Sequence, residues 1–277
     1  MLQFWDRYRR NRTSVAGLLI VSAVIAMAGS ASLLFPGDPL GIVGAAYIAP
    51  FETMEFPLGT DPLGRDILAG LFYGARISLL VGLVASLGAT VIGTAIGAVA
   101  GFHGGRLGSI LMRITEMFQT TPNIMLALVL VTILGPSIAS VVCSISLVTW
   151  PAIARLTRAE FLKLRNQDFV LACVAMGMRS GRIIMTQVLP NALPPIVVMA
   201  SIIAATAILV ESALSFLGLG DPNVVSWGMM IGTGRSVLRS APYVALFPGL
   251  IILFTVLGIN LVGEGLNEVL NPRLRDR

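Results

Sequence analysis

Residues 117–154 read MFQTTPNIMLALVLVTILGPSIASVVCSISLVTWPAIA, and these 38 positions hold no charged side chain. One helix of that length would extend for about 57 Å, whereas the hydrocarbon layer of a membrane is about 30 Å thick. The stretch must therefore fold back on itself. The break is predicted at residues 134–137, LGPS, because proline lacks the amide hydrogen that a continuing helix needs. This stretch thus predicts a pair of membrane helices.

Four further uncharged stretches lie at residues 13–37, 77–105, 183–210 and 240–263. Each is long enough to cross a membrane once as a helix of about 20 residues. Across the whole chain 56% of residues are hydrophobic and only 12% are charged, against roughly 25% charged in soluble domains. These values exclude a soluble enzyme, a secreted disulfide scaffold and a nucleic-acid-binding protein.

The fold class predicted is an all-α polytopic membrane protein with six transmembrane helices. The third helix looks short and is expected to begin upstream, near Thr115. The six predicted helices are Val15–Leu34, Arg76–Ala100, Asn123–Leu134, Ile138–Ile153, Leu193–Glu211 and Val244–Val262.

The distribution of basic residues predicts the orientation. If the N-terminus is cytoplasmic, the inner segments carry fifteen of the 19 Lys and Arg residues and the outer segments carry four. Cytoplasmic loops are enriched in Lys and Arg, so both termini are predicted to be cytoplasmic. The first apolar run has no convincing cleavage site, so we expect a retained helix rather than a signal peptide. The net charge of +5 is then explained by topology, without a nucleic-acid partner.

The sequence offers no set of residues equipped for catalysis. It holds one histidine, His103, and no HExxH, Walker or GxSxG motif. Its two cysteines are not in a metal-ligand spacing. We therefore expect a chain that is not an enzyme and that binds neither a metal nor a cofactor.

The longest cytoplasmic segment covers about residues 155–192. Apolar residues recur there at helical spacing, Gly177 interrupts the pattern, and the pattern resumes before Pro190-Asn191. This predicts a helix, a turn and a second helix outside the bilayer. Such a small amphipathic projection could contact lipid headgroups or enter a groove on a partner protein.

The same segment resembles the EAA loop of ABC-importer permeases, through FVLACVAMG at residues 169–177 and QVLPN at residues 187–191. In that family the loop forms a coupling helix that docks into a cleft of the cytoplasmic ATPase. Leu171 stands where glutamate is common, Cys173 where alanine is common, and Gln187 where histidine often occurs. The residues to which the resemblance assigns the coupling role are Leu171, Ala172, Cys173, Gly177, Met178, Arg179, Ser180, Gly181, Pro190 and Asn191.

A second motif narrows the resemblance. Residues 58–67, LGTDPLGRDI, resemble the signature of the C-type permease subunit of dipeptide, oligopeptide and nickel importers. Further agreement lies in ALSFLGLG at 213–220, SWGMMI at 226–231, and NLVGEGL with NPR near the C-terminus. The resemblance therefore covers nearly the whole chain, except for about residues 41–56.

The resemblance implies a type I ABC-importer permease in a bacterial cytoplasmic (inner) membrane. Its partners would be a homologous permease in a heterodimer, two cytoplasmic ATP-binding subunits that bind ATP and Mg, and an extracytoplasmic solute-binding protein. The implied substrate is a di- or oligopeptide. A nickel chelate, glutathione or another small solute is the alternative, and an ATP-independent carrier or channel is a remote one.

The chain is divided accordingly into three parts. Residues 1–75 comprise a cytoplasmic segment, the first transmembrane helix and an outer loop. Residues 76–265 form the permease core with the coupling loop, and residues 266–277 form a cytoplasmic tail.

Two groups of polar residues have alternative interpretations. Glycines on either side of Asp61-Pro62 favour a tight turn, and the nearby charges predict a local ion-pair cluster; contact with the substrate or its binding protein is the alternative. Glu211 is the one acid near the outer end of a predicted helix, where it could make a structural hydrogen bond or line the substrate path. The outer residues concerned are Gly59, Asp61, Gly64, Arg65 and Asp66.

Small residues recur along the second predicted helix at Gly82, Ser86, Gly93, Gly97 and Gly101. In membranes such residues allow two helices to approach closely, so we expect them to form a packing face. Lining of the transport pathway is the alternative.

Overall fold

The computed structural model describes residue 8 and residues 11–270, and this part of the chain is helical without a strand. Arg7, Arg9 and Arg10, which are among the fifteen basic residues assigned to the inner segments, lie outside the described residues, as do residues 271–277. The helices are α1 Arg12–Leu34, α2 Ile67–His103, α3 Gly105–Thr120, α4 Asn123–Leu134, α5 Ile138–Leu164, α6 Asp168–Ala175, α7 Ser180–Ile183, α8 Leu189–Phe216, α9 Trp227–Gly234 and α10 Tyr243–Leu270.

Within the described residues, five helices are long and apolar enough to cross a membrane: α1, α2, α5, the run from α7 through α8, and α10. A sixth span results if α3 and α4 are taken together, although an 87° bend separates them. The all-α, six-span architecture predicted from the sequence is confirmed on this basis. The helix bounds differ from the prediction at most ends.

The second span begins at Ile67, nine residues before the predicted start at Arg76. Its first turn is capped by Asp66, whose Oδ1 accepts from the Leu68 amide at 2.8 Å. Arg76 therefore lies inside the helix. Its guanidinium is accommodated because Nε donates to the Ala28 carbonyl at 2.6 Å, and the group lies over the Tyr73 ring.

The third span is not one helix beginning near Thr115. Instead α3 ends at Thr120, Thr121 is extended at φ −93° and ψ 135°, and Pro122 precedes α4. The residue before a proline is disfavoured in the helical region, and proline has no amide hydrogen. The helix therefore breaks, and α4 alone rises only about 18 Å at 1.5 Å per residue.

The fourth and fifth spans both continue beyond the predicted bounds into the segment expected outside the bilayer. α5 extends to Leu164 rather than Ile153. The predicted second helix of the cytoplasmic projection does not stop before Pro190, because α7, a π-helical turn at Ile184–Val188 and α8 form one continuous run. The wider turn before Pro190 accommodates a residue without an amide donor. α1 begins three residues early, and α10 covers 243–270 rather than 244–262.

The closest packing joins α2 to α5 along the predicted face of small residues. A Cβ atom built on Gly93 would lie 2.6 Å from the Trp150 carbonyl oxygen, and one on Gly97 would lie 2.4 Å from that of Ala154. At Gly101 the nearest atom would be Phe161 Cβ at 2.6 Å. These approaches leave no room for a side chain. The packing role predicted for this face is confirmed.

The remaining helices complete the bundle around this pair. α10 packs against α8 and α1, and α8 also contacts α2. At the outer end α9 inserts Trp227, which is fully buried and donates from Nε1 to the Leu71 carbonyl of α2 at 2.9 Å. The outer ends of α2 and α10 are thereby joined through α9.

The glycine contact predicts a large difference between two alanine substitutions. Gly97→Ala should destabilise the protein by about 1–3 kcal/mol, because the added methyl group would overlap the α5 backbone. Gly29→Ala on α1 is the matched control, since a Cβ there meets no atom within 4 Å. The measurement is the thermal midpoint of the detergent-solubilised protein. Equal midpoints for the two variants would contradict this packing.

Candidate functional site

The segment between α5 and α8 is a compact projection built around one glycine turn. α6 ends with the Met178 amide bonded to the Cys173 carbonyl at 3.1 Å and the Gly177 amide bonded to the Val174 carbonyl at 2.9 Å. This pair of bonds is the Schellman arrangement, which needs a left-handed residue after the helix. Gly177 supplies it with φ +76°. The turn predicted from the sequence is confirmed at Gly177.

The two faces of α6 have different environments. Val170 and Cys173 are buried and belong to the same apolar cluster as Phe161 of α5 and Ile183 of α7. This face attaches the projection firmly to the bundle.

The opposite face of α6 presents apolar side chains that no other part of residues 11–270 covers. Leu171 is 53% exposed, Val174 is 55% exposed, and Met176 in the following turn is 72% exposed. The flanking Ala172, Arg179, Ser180 and Gly181 are also exposed, and Met178 is half-buried. The uncovered apolar surface, the glycine turn and an adjacent arginine therefore form one continuous patch, which we call the α6 face.

Pro190 and Asn191 do not belong to this patch. They lie on the continuous helix, nine and ten residues beyond Gly181, which is about 15 Å along the axis. The Asn191 side-chain amide donates back to the Gln187 carbonyl at 2.7 Å, so it pairs a polar group of the π-helical turn. The structure separates the two parts of the sequence motif.

The outer loop before α2 is held by side-chain bonds to its own backbone rather than by ion pairs. Asp61 Oδ1 accepts from the amides of Leu63 and Arg65 at 2.8 and 2.9 Å, and Asp66 caps α2. Burial raises the pKa of the Asp66 carboxyl, and hydrogen bonds from the Leu68 and Ala69 amides oppose that change. Among the described residues the ion pair is Lys163–Glu160, so the predicted cluster of Asp61, Arg65 and Asp66 is wrong. The carboxylates of Asp61 and Asp66 instead accept hydrogen bonds from backbone amides that are close to them in the chain.

Two glycines in this loop allow the neighbouring segment 41–56 to lie against it. Gly59 and Gly64 have φ of +81° and +77°, and a Cβ on either would lie 2.3 or 2.2 Å from the carbonyl oxygen of Ile48 or Gly44. The tight turn predicted between them is confirmed.

Sequence reasoning missed two residues that complete the outer loop. Thr60 is fully buried, and its hydroxyl accepts from the Ile48 amide at 2.9 Å and donates to the Ala45 carbonyl. The Tyr243 hydroxyl of α10 donates to the Ile48 carbonyl at 3.0 Å. The signal for Thr60 was its place between Gly59 and Asp61, whereas nothing near Tyr243 in the sequence points to a contact 195 residues away.

Glu211 lies inside the bundle, 2% exposed, between α8 and α2. Its carboxylate accepts from Ser215 Oγ at 2.7 Å, from Ser78 Oγ of α2 at 3.2 Å and from Ser212 Oγ at 3.4 Å. These bonds fit the structural alternative, because hydroxyl donors from two helices converge on a carboxylate. Among the described residues, no group of three or more His, Cys, Asp or Glu is arranged to hold a metal ion.

The chain also matches a known protein family. Residues 93–276 match the family of binding-protein-dependent transport system inner membrane components. The chain belongs to this family, and the resemblance found in the sequence is confirmed.

Several individual proteins are similar in sequence to this chain along nearly its full length. The dipeptide transport system permease protein DppC of Alkalihalophilus pseudofirmus is 38% identical over 98% of this chain and 89% of its own. DppC of Escherichia coli K12 is 39% identical over 99% of this chain and 93% of its own. The oligopeptide permease protein OppC of Bacillus subtilis is 34% identical over 97% and 88%.

Among solved structures, an inward-facing form of the MetNI methionine ABC transporter matches with a TM-score of 0.60. The match covers 72% of this chain and 94% of that one at 20% identity. This likeness shows the fold, and it confirms the predicted ABC-importer permease architecture.

The environment of Glu211 predicts two different outcomes for two substitutions. Glu211→Ala should lower stability by about 1–3 kcal/mol, because three buried hydroxyls lose their shared acceptor. Glu211→Gln retains an acceptor oxygen and should lose less than half as much. The thermal midpoint measures both.

Transport separates this structural role from a role in the substrate path. The Gln variant should import with an unchanged KM at equal expression. A several-fold rise in KM without loss of stability would place Glu211 in the path instead.

Proposed function

We propose that this chain is the permease subunit of an ATP-driven importer of di- or oligopeptides, coupled to its ATPase through the α6 face. The observation that carries the proposal is an apolar surface that is attached to the bundle and left uncovered by the described residues. A partner groove that receives Leu171, Val174 and Met176 would bury this surface. The family membership supports a partner-driven mechanism, because the family is defined by binding-protein-dependent transport.

The geometry suggests how movement at the α6 face reaches the membrane. The Gly177 turn connects α6 to a continuous helical run from Ser180 to Phe216. On the other side, Val170 and Cys173 contact the cluster that includes Phe161. A displacement of the projection would therefore act on α5 and α8 together. Coupling of this kind requires an element whose position differs between two states of the assembly.

The partners proposed are a homologous permease in a heterodimer, two cytoplasmic ATP-binding subunits and an extracytoplasmic solute-binding protein. ATP and Mg would be bound on the ATPase subunits, with no cofactor on this chain. Leu171 replaces a carboxylate common in this loop, so docking here would rest on apolar contact rather than on that salt bridge.

Removal of the apolar side chains should release the ATPase. The double variant Leu171→Ser, Val174→Ser should co-purify at least about tenfold less ATPase, since burial of each side chain contributes about 1.5–3 kcal/mol. Uptake of a labelled dipeptide should fall with it, while the amount of inserted chain stays unchanged. Quantitative mass spectrometry of the tagged complex measures the association.

Met54→Ser provides the matched control for association. Met54 is 99% exposed in the outer loop. The control variant therefore loses a comparable exposed apolar side chain on the proposed other side of the membrane. Normal ATPase recovery from the double variant would refute docking at the α6 face.

The orientation proposed places both termini and the α6 face in the cytoplasm, in agreement with the excess of basic residues in those segments. In a chain whose Cys143 and Cys173 are replaced by serine, Met54→Cys should react with an impermeant thiol reagent from outside. Ser180→Cys should react only after the membrane is permeabilised. Both positions are exposed, so accessibility depends on the side of the membrane. The opposite labelling pattern would invert the proposed topology.

The substrate proposal rests on the names of relatives, since DppC and OppC are described as dipeptide and oligopeptide permeases. Excess unlabelled dipeptide should abolish uptake of labelled dipeptide by the reconstituted importer with its binding protein. A nickel chelate or glutathione in equal excess should leave uptake within about twofold, because the chelate has no peptide backbone and the γ-glutamyl linkage of glutathione places its amino group differently from that of an α-linked dipeptide. Competition by either solute would favour the alternative substrate class. Transport by this chain alone, without ATP, would favour the carrier.

A further inference from the structure

Helix α3 is the first half of the broken sixth span, and it has the features of a helix that lies at the membrane surface. It meets α4 at 87°, and α4 packs against the spanning helix α5. Four of its apolar side chains are between 44% and 71% exposed, and their spacing of three, four and three residues places them along one stripe. They are Leu107, Ile110, Ile114 and Met117. An amphipathic helix in this position buries such a stripe among lipid acyl chains.

A cavity of about 750 Å³ lies beside this stripe, open to solvent, between α3 and the end of α5. Arg106 and Arg113 line it from α3, seven residues apart and therefore on one side of the helix. Arg158 of α5 and Arg165, the residue directly after α5, also line it and have the same separation. Among the residues that the structure describes, no acidic side chain lines the cavity. Four positive charges thus converge from two helices.

The arginines are not paired with other parts of the described chain in a way that neutralises them. Arg158 Nε is buried without a hydrogen-bond partner. Arg165 Nη1 donates to the carbonyls of Gly101 and Phe102 at 3.4 and 3.2 Å, which fixes that guanidinium at the cavity wall but leaves its charge uncompensated. An anionic group with several acceptor oxygens would satisfy these donors. Phosphate matches guanidinium donors in charge and geometry.

We propose that this cavity binds the phosphate of an anionic phospholipid from the cytoplasmic leaflet, with the acyl chains lying on the α3 stripe. Ile110 belongs both to the cavity wall and to the stripe, so the charged and apolar surfaces are continuous. A free phosphate would use only the arginines, whereas a lipid would use both surfaces. Basic pockets between membrane helices on the cytoplasmic side are suited to such headgroups. This site is separate from the α6 face.

The position of the site gives the bound lipid a structural consequence. Its headgroup would bridge α3 to the last two turns of α5, and only three residues separate α5 from α6. The inference rests on the cytoplasmic orientation proposed above. The lipid-site inference does not depend on whether the imported substrate is a peptide.

The test uses the importer purified with its natural partners in mild detergent. Native mass spectrometry measures the binding of added phosphatidylglycerol and, separately, of phosphatidylcholine. The wild-type complex should bind phosphatidylglycerol at least about tenfold more tightly than phosphatidylcholine. Arg113→Gln with Arg158→Gln should weaken that binding about thirtyfold. Two basic residues at about 1 kcal/mol each give this factor, since about 1.4 kcal/mol corresponds to a tenfold change in affinity.

Two further double variants control for charge and for folding. Arg12→Gln with Lys163→Gln removes two exposed cytoplasmic charges outside the cavity and should change binding less than about threefold. Arg113→Lys with Arg158→Lys keeps both charges and should retain binding within about tenfold. Loss of binding in the Gln pair with retention in the Lys pair supports the site.

Four results would overturn the proposal. They are equal binding of the two lipids, unchanged binding by the Gln pair, equal loss in the Arg12 and Lys163 control, and displacement of the lipid by millimolar inorganic phosphate. The last would define a site for small anions. Absence of lipid binding in the assembled complex, with the arginines protected from a guanidine-reactive reagent, would show that a partner subunit covers the cavity.

The result for lipid binding can be distinguished from a failure of the proposed import function. Dipeptide uptake, ATPase recovery and cysteine labelling are measured on the wild-type protein and do not depend on the headgroup. Their success with no lipid binding would reject this site alone, and inverted labelling would reject the orientation on which the site rests.

Discussion

The close contact between α2 and α5 positions both ends of the molecule. Gly93, Gly97 and Gly101 bring the α2 backbone against α5 over about two turns, with Phe161 beside Gly101. In lipid, helices gain little from the hydrophobic effect when they associate, so close van der Waals packing has to hold them together. A side chain larger than hydrogen would separate the two helices along this whole line.

The two functional regions extend from opposite ends of this pair. The outer loop is anchored where Asp66 caps α2. The α6 face follows α5 after three residues and is attached by Val170 and Cys173 to the cluster around Phe161. Because both regions are built onto the same packed pair, a displacement of the projection, as in the proposed coupling, would act on the part of the bundle that supports the loop before α2.

Charge in this protein is arranged according to depth. In the loop before α2, carboxylates accept hydrogen bonds from backbone amides; inside the bundle, the Glu211 carboxylate accepts from serine hydroxyls; and at the opposite end of α2, arginines line an open cavity. Unpaired charge is costly in a low-dielectric interior but much less so at the interface with water. The arginine cavity can therefore remain uncompensated by protein groups where a buried cluster could not.

The sequence by itself determined the class, the number of spans and the turn at Gly177. Those features follow from local properties: the length of uncharged stretches, the periodicity of apolar residues, and the left-handed conformation that glycine allows. It also indicated the packing face of α2, because small residues four apart share one side of a helix.

Only the tertiary structure decided what those local patterns contact. The outer acids looked like members of an ion-pair cluster, yet nearby amides satisfy them, and Pro190 looked like a helix end, yet a π-helical turn absorbs it. Tyr243 and Ile48, or Arg113 and Arg158, are far apart in the chain and become neighbours only through packing. A pattern in sequence records which groups need a partner, while the choice among partners depends on distances that the folded bundle alone sets.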